Sequence, residues 1–235
     1  MNLKIVSKSY KIQRKILKKN SVRNFFKTFL NLSFLYGGKY FKRNINYKNW
    51  DDKNLNKSLL LLRNDHPKKF SLIYSNIQKT AAIKRLVIEN NLDLISAKFL
   101  GTDPKTVFHY NSFLRMDPPG DTKNSLPWHQ DPQLNKHDKY DACTTWCPLV
   151  DIDNKIGPLN ILLKSNKKTF PTNERGRITE NIAKKISSQY KLKKIAINKN
   201  DGFIYENLLV HKSGINNSNK IRFVLVSHFN KTIKN

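Results

Sequence analysis

From about residue 94 onward the chain breaks into seven short extended runs divided by turn-forming residues, and that pattern excludes most folds. The runs are Ser96 to Leu100, Thr106 to Met116, Ala142 to Ile152, Leu159 to Leu163, Leu192 to Ile197, Phe203 to Tyr205 and Ile221 to Phe229. Between them stand Asp117-Pro118-Pro119-Gly120-Asp121, Asn154-Lys155-Ile156-Gly157-Pro158 and Asn200-Asp201-Gly202, all rich in chain-reversing residues. Only Thr179 to Ser188 has helical spacing in this half. Parallel strands need long, usually helical, crossovers that this half lacks. The spacing therefore predicts antiparallel strands in a double-sheet jelly roll.

The first ninety residues have a different texture. From Tyr10 to about Asn91 apolar residues recur at helical spacing: Ile12, Ile16 and Leu17, then Phe25, Phe26, Phe29 and Leu30, then Leu59 to Leu62, then Leu72, Ile73 and Ile77. Ser71 to Asn90 reads as one amphipathic helix, followed by a loop through Asn91 and Asp93. The expected architecture is mainly β with a helical N-terminal part (α+β). Residues 1–95 are expected to form a basic helical extension packed on a jelly-roll core over 96–235, the two making one integrated domain.

Composition narrows the function. With 235 residues, 38% of them hydrophobic, the chain can bury a real core. A formal charge of +27 invites a polyanion-binding reading. The excess, however, comes from 35 Lys against 9 Arg in a chain crowded with Asn and Ile. A/T-rich codons produce that mixture, whereas phosphate- and base-reading sites favour the planar fork of Arg. No specific nucleic-acid partner is expected. No run approaches the roughly 20 apolar residues that span a bilayer, and the basic N-terminus has no apolar segment behind it, so the chain reads as cytoplasmic. Cys143 and Cys147, four apart on an expected strand, would lie about 13 Å apart. That is too far for a disulfide, and they read as core residues.

The chemistry begins at Trp128-His129-Gln130-Asp131. On an extended segment alternate side chains share a face, so His129 and Asp131 project together and Gln130 turns away. His211, ending the apolar stretch Leu208-Leu209-Val210, completes a set of two His and one carboxylate. Such a set holds iron(II) by one face of its octahedron and leaves three positions open. Arg222 follows eleven residues later, where antiparallel pairing would return it beside the metal to clamp a carboxylate. Arg115, Gln130 and Tyr110 are candidate substrate contacts. His66, His109, His137 and His228 lack carboxylate partners at motif spacing and read as structural, with His137 in a polar loop.

Taken together, Trp128-His129-Gln130-Asp131, Trp146-Cys147-Pro148-Leu149, Gly157-Pro158-Leu159 with Leu163-Lys164-Ser165-Asn166-Lys167, and Asp201-Gly202-Phe203 through His211-Lys212-Ser213-Gly214 to Arg222 resemble the phytanoyl-CoA dioxygenase-like iron(II)/2-oxoglutarate oxygenases. The resemblance covers about Thr106 to Lys231 and implies a double-stranded β-helix. It implies His129, Asp131 and His211 as iron ligands, Arg222 and Ser213 on the distal carboxylate of 2-oxoglutarate, and Trp146 and Phe113 lining the co-substrate pocket. It also implies Fe(II), 2-oxoglutarate and O2 as the working set, with hydroxylation of a small substrate and decarboxylation of 2-oxoglutarate to succinate and CO2. Asp131 matters here, because related halogenases carry a small residue at that position. Family members usually read Pro-Gly-Ser-His where this chain has Leu163-Lys164-Ser165-Asn166, so that turn is built differently. The run Leu114-Arg115-Met116-Asp117-Pro118-Pro119 resembles bacterial relatives acting on polar metabolites or sugar-type molecules. Two other classes stand beside this reading: a non-catalytic cupin-like protein binding a metal or metabolite, and a basic polyanion-binding protein.

Overall fold

The computed structural model of the chain describes residues 9–42, 47–131, 142–173 and 177–231. Its strands are β1 (Tyr10–Gln13), β2 (Val107–Asp117), β3 (Ala142–Pro148), β4 (Leu159–Leu162), β5 (Leu192–Ile195), β6 (Gly202–Glu206), β7 (His211–Lys212) and β8 (Arg222–Lys231). Its helices are α1 (Lys19–Gly37), α2 (Lys53–Asp65), α3 (Pro67–Ile77), α4 (Ala81–Glu89), α5 (Leu92–Leu100) and α6 (Glu180–Gln189). One sheet has the order β1-β6-β3-β8-β2 and the other β5-β4-β7. Every pairing is antiparallel.

Strand alternation sorts the two faces of the larger sheet. Leu114 and Met116 of β2 are buried in the main hydrophobic core, against which α3, α4 and α5 pack. Phe113 and Arg115, on the opposite face, line a cavity. Phe29 of α1 and Trp50 place their rings 5.7 and 4.9 Å from Phe223 of β8, so the helical part and the sheet share that core. Gln78, just past α3, docks its amide on the backbone of Leu114, giving and receiving a hydrogen bond of 2.8 Å each way. It thereby occupies part of an exposed strand edge.

Three expectations need correction. Tyr10–Gln13 is a strand and not a helix: it adds to the edge of β6, with Tyr10 opposite Tyr205 and Ile12 opposite Phe203. The Lys15 N–H donates to Asp201 Oδ1 at 2.7 Å and the Leu17 N–H to the Asn200 carbonyl at 3.0 Å, which holds the segment there. Ile16 and Leu17 are buried while Ile12 is 43% exposed, so the three do not form one helical face. Next, Ser71 to Asn90 is two helices, because Thr80 is extended (φ −75°, ψ 146°). Finally, Ser96 to Leu100 belongs to α5. Asn91 in the left-handed region (φ 53°) turns the chain into it, Gly101 (φ 64°) ends it, and Leu92, Ser96 and Ala97 make its buried stripe.

Cys143 and Cys147 are free and buried, and burial pushes both thiols up to about 12. Among the described residues no helix is long and apolar enough to cross a membrane.

Candidate metal centre and its cavity

His129 and His211 oppose each other across an antiparallel bridge, each donating its backbone N–H to the other's carbonyl at 2.9 Å. Directly opposed residues send their side chains to the same side. Two residues on, the Asp131 N–H bonds the Asn207 carbonyl at 2.9 Å, which returns Asp131 to the face of His129. The Nδ1 atoms of His129 and His211 lie 2.7 and 2.8 Å from the carbonyls of Pro127 and Leu209. A carbonyl can only accept, so both rings carry their proton on Nδ1 and leave a lone pair on Nε2. Those Nε2 atoms stand 3.7 and 3.5 Å from Asp131 Oδ1. The three donor atoms lie within 4.8 Å of one another, and all three residues are buried.

The electrostatics suit ligands. Burial, with help from His211, pulls His129 down to about 3, so its ring is neutral. Burial works the other way on Asp131, but the surrounding imidazoles, His211 foremost, outweigh it and hold the carboxyl well below the usual range. Thr144 Oγ1 lies 2.6 Å from Asp131 Oδ2, 2.9 Å from His228 Nδ1 and 3.0 Å from Asn207 Oδ1. Its single proton goes to the carboxylate, the closest and strongest acceptor, and His228 then donates from Nδ1 to the hydroxyl. Asp131 is thereby fixed with Oδ2 tied back and Oδ1 toward the imidazoles. Two neutral nitrogens and one oxygen on a single face form a donor set for a divalent first-row metal.

A cavity of about 50 Å³ runs from this triad to two arginines. Arg222 is buried and donates to Asp117 Oδ2 from Nε at 3.1 Å and Nη2 at 3.0 Å, and from Nη1 to the carbonyls of Gly214, at 2.9 Å, and Gly157. Arg115 gives Asp117 two more bonds, of 2.7 and 3.2 Å, and reaches the Asn124 carbonyl at 2.8 Å. Burial opposes ionisation of Asp117, but the two guanidiniums more than compensate and lower its pKa. Two cations and one anion leave a net single positive charge at this end. One N–H on Arg222 Nη2 and both on Arg115 Nη1 have no acceptor among the described residues.

The Gly-Pro-Leu and Ser-Gly motifs build this seat. Gly157 has φ 87°, and a Cβ there would stand 2.7 Å from the Gly214 carbonyl and 2.8 Å from Arg222 Nη1. A Cβ on Gly214 would strike the Pro158 carbonyl. Only glycines let these two backbones meet around the guanidinium.

Of the residues singled out from sequence, His129, Asp131, His211, Arg222, Ser213, Trp146, Phe113 and Arg115 all line this cavity. Gln130 does not: its amide donates to the carbonyls of Lys168 and Leu208, at 2.8 and 2.6 Å, and accepts from the Phe170 N–H at 2.9 Å. Those bonds engage it on the far face, where strand alternation sends it. Tyr110 is 51% exposed and does not line the cavity. His109 bonds Ser112 at 2.6 Å and His66 packs edge-on to Tyr40, both away from the cavity. His137 lies outside the described residues.

His228, read as structural, instead lines the cavity with Nδ1 3.9 Å from Asp131 Oδ2. Sequence reasoning also passed over Asp117, Thr144 and Tyr205. Their signal was strand parity: Asp117 shares a face with Phe113 and Arg115, and Thr144 with Trp146. Tyr205 pairs with Thr144 across the sheet and sets its hydroxyl 3.2 Å from His211 Nε2. Burial raises the Tyr205 pKa well above the usual 10, so it stays a phenol.

Residues 39–224 match the family described as phytanoyl-CoA dioxygenase (PhyH). No curated protein matches the sequence. Among solved structures, AviO1 from Streptomyces viridochromogenes Tue57 is similar at 15% identity and TM-score 0.59, over 97% of this chain and 91% of that one. The epimerase SnoN in complex with Fe3+, alpha-ketoglutarate and nogalamycin RO aligns at 12% identity and TM-score 0.62, over 96% of this chain and 80% of its own. EctD from S. alaskensis with 2-oxoglutarate and 5-hydroxyectoine gives 13% identity and TM-score 0.60, over 96% and 73%.

Proposed function

The chain belongs to the phytanoyl-CoA dioxygenase family, and on that footing we propose that it is an iron(II)- and 2-oxoglutarate-dependent oxygenase that hydroxylates a small polar organic molecule. The observation that carries this reading is the convergence of two Nε2 lone pairs on Asp131 Oδ1 at the end of a cavity whose other end is cationic. His129, Asp131 and His211 would hold the metal. Iron bound there supplies oxygen activation with 2-oxoglutarate and O2, chemistry no side chain here provides.

The protein's own part is positional. Arg222, Arg115 and Ser213 retain N–H and O–H donors for the far carboxylate of the co-substrate, and their net positive charge favours a dianion over neutral molecules. Phe113 and Trp146 form apolar walls that keep bulk water from the reacting end. Thr144 and the Pro127 and Leu209 carbonyls hold the donors in place before any guest arrives, so little reorganisation accompanies binding. We further read the two antiparallel sheets as the halves of a double-stranded β-helix, with residues 1–95 and 96–235 forming one integrated domain.

The test is anaerobic titration of the purified protein with iron(II) and then 2-oxoglutarate. The expected result is a weak visible metal-to-ligand charge-transfer band, with conversion of 2-oxoglutarate to succinate once air is admitted. A folded protein showing neither would overturn the assignment. One structural neighbour is an epimerase, so hydroxylation is checked separately by mass spectrometry, with the product expected to gain one oxygen from labelled O2.

A further inference from the structure

On the inner face of the larger sheet, Tyr205 of β6, Thr144 of β3 and His228 of β8 are direct cross-strand neighbours. They make one polar rung beside the triad. Tyr205 sets its hydroxyl 3.2 Å from His211 Nε2, one of the metal-facing atoms. The Nδ1 proton of His211 is held by the Leu209 carbonyl at 2.8 Å, so in the neutral ring Nε2 is the acceptor and Tyr205 the donor.

A metal ion held by His211 takes that same lone pair. The hydroxyl then loses that acceptor, and a buried phenol short of partners is unfavourable. Asp131, which also interacts with the hydroxyl, is already engaged: Oδ2 receives Thr144, and Oδ1 is the oxygen directed at both imidazoles. The ring cannot retreat, because Tyr205 is 2% exposed and stacked on Phe203 with centroids 5.3 Å apart. Tyr205 lines the cavity, so its hydroxyl also has within reach whatever anionic oxygen a guest brings to the metal end.

We propose that Tyr205 is a hydrogen-bond donor to the near carboxylate or keto oxygen of the 2-oxo acid, released from His211 when the metal enters. This rests on the reading of the site as an iron and 2-oxoglutarate site. It gives Tyr205 two opposite effects: its hydroxyl competes with the metal for His211 and then strengthens retention of the co-substrate.

Tyr205→Phe removes only the hydroxyl and separates the two effects. In anaerobic titrations the variant is expected to bind iron(II) as tightly as the parent or a few-fold tighter, and 2-oxoglutarate about tenfold more weakly. Its charge-transfer band moves to shorter wavelength, because the lost hydrogen bond no longer lowers the acceptor orbital of the oxo acid. Parent protein grown with 3-fluorotyrosine, a stronger donor, shifts the band the opposite way and tests the contact without a deletion. An unmoved band in both preparations, or a variant with unchanged 2-oxoglutarate affinity, overturns the proposal while leaving the iron site intact. A parent protein with no band at all removes the iron site, and the proposal with it.

Discussion

The two ends of the cavity use the same acceptors, backbone carbonyls and one carboxylate, to opposite effect. At the metal end the carbonyls of Pro127 and Leu209 take the Nδ1 protons and so turn two Nε2 lone pairs inward, free for a guest. At the other end the carbonyls of Gly157 and Gly214 and the Asp117 carboxylate take four of the donors of Arg222. One end is prepared by its hydrogen bonds; the other is largely satisfied by them. A guest at the metal end completes an open set, while a guest at the arginine end shares guanidiniums with Asp117. Binding at the first end should therefore depend on single ligands, and stability on the second.

The largest expected effect breaks the metal end outright. His211→Ala leaves two donors where three converge, and iron(II) titration of the folded variant is expected to show no binding at micromolar protein, with succinate formation lost. Retained iron affinity would mean that the buried donors are a core polar cluster and not a ligand set. Next comes the arginine end. Asp117→Asn strips the counter-charge from two buried guanidiniums, and breaking a buried pair in this way costs about 3–5 kcal/mol. Urea unfolding of the metal-free protein should show a loss of that size. A loss under about 1 kcal/mol would indicate that the guanidiniums are solvated.

The same contrast governs what the sequence could reveal. The metal end was legible because its ligands sit on local motifs: His129 and Asp131 are two apart on an extended segment, and His211 ends an apolar run. The arginine end was legible only in part. Arg222 could be placed by its distance from His211, but Asp117, its partner across 105 positions of chain, becomes visible only once the β2–β8 register sets the two opposite each other. His228 and Tyr205 were hidden for the same reason: neither has a carboxylate at motif spacing, and both reach the site through cross-strand pairing with Thr144. Segments whose apolar spacing fits two structures went wrong where tertiary contacts decided. Tyr10–Gln13 is drawn into a strand by the free edge of β6, and Ser96–Leu100 into a helix by the left-handed turn at Asn91.

Acid should separate the two ends in pH. His129 is held neutral down to about 3, whereas an unfolded His takes up a proton near 6.5. Below 6.5 the unfolded chain binds the extra proton, so stability falls as pH falls, by about 1.4 kcal/mol per unit until the folded group titrates. Asp117 acts later. Its folded pKa is lowered, so its contribution is complete above the unfolded carboxyl value of about 3.9 and is lost only in stronger acid. Urea unfolding of the metal-free protein between pH 7 and 4.5 should therefore lose about 2–3 kcal/mol through His129, with a further loss from His228 and His109, whose pKa values burial also lowers. His129→Gln should reduce that slope while Asp117→Asn leaves it in place; a slope unchanged by His129→Gln assigns the proton uptake elsewhere.

The smallest effect tests whether the metal end is prepared or only composed of the right residues. Thr144→Val keeps the shape of the side chain and removes the hydroxyl that ties back Asp131 Oδ2 at 2.6 Å. No ligand is lost, but the carboxylate is free to rotate and His228 loses the acceptor of its Nδ1 proton. Partners of this kind, one step removed from the metal, change affinity by about 10–100-fold. The loss of iron(II) affinity is expected near the lower end, because the two backbone carbonyls still orient both imidazoles. If Thr144→Val binds iron as the parent does, the carboxylate needs no fixing, and the imidazole orientation alone accounts for the readiness of this end.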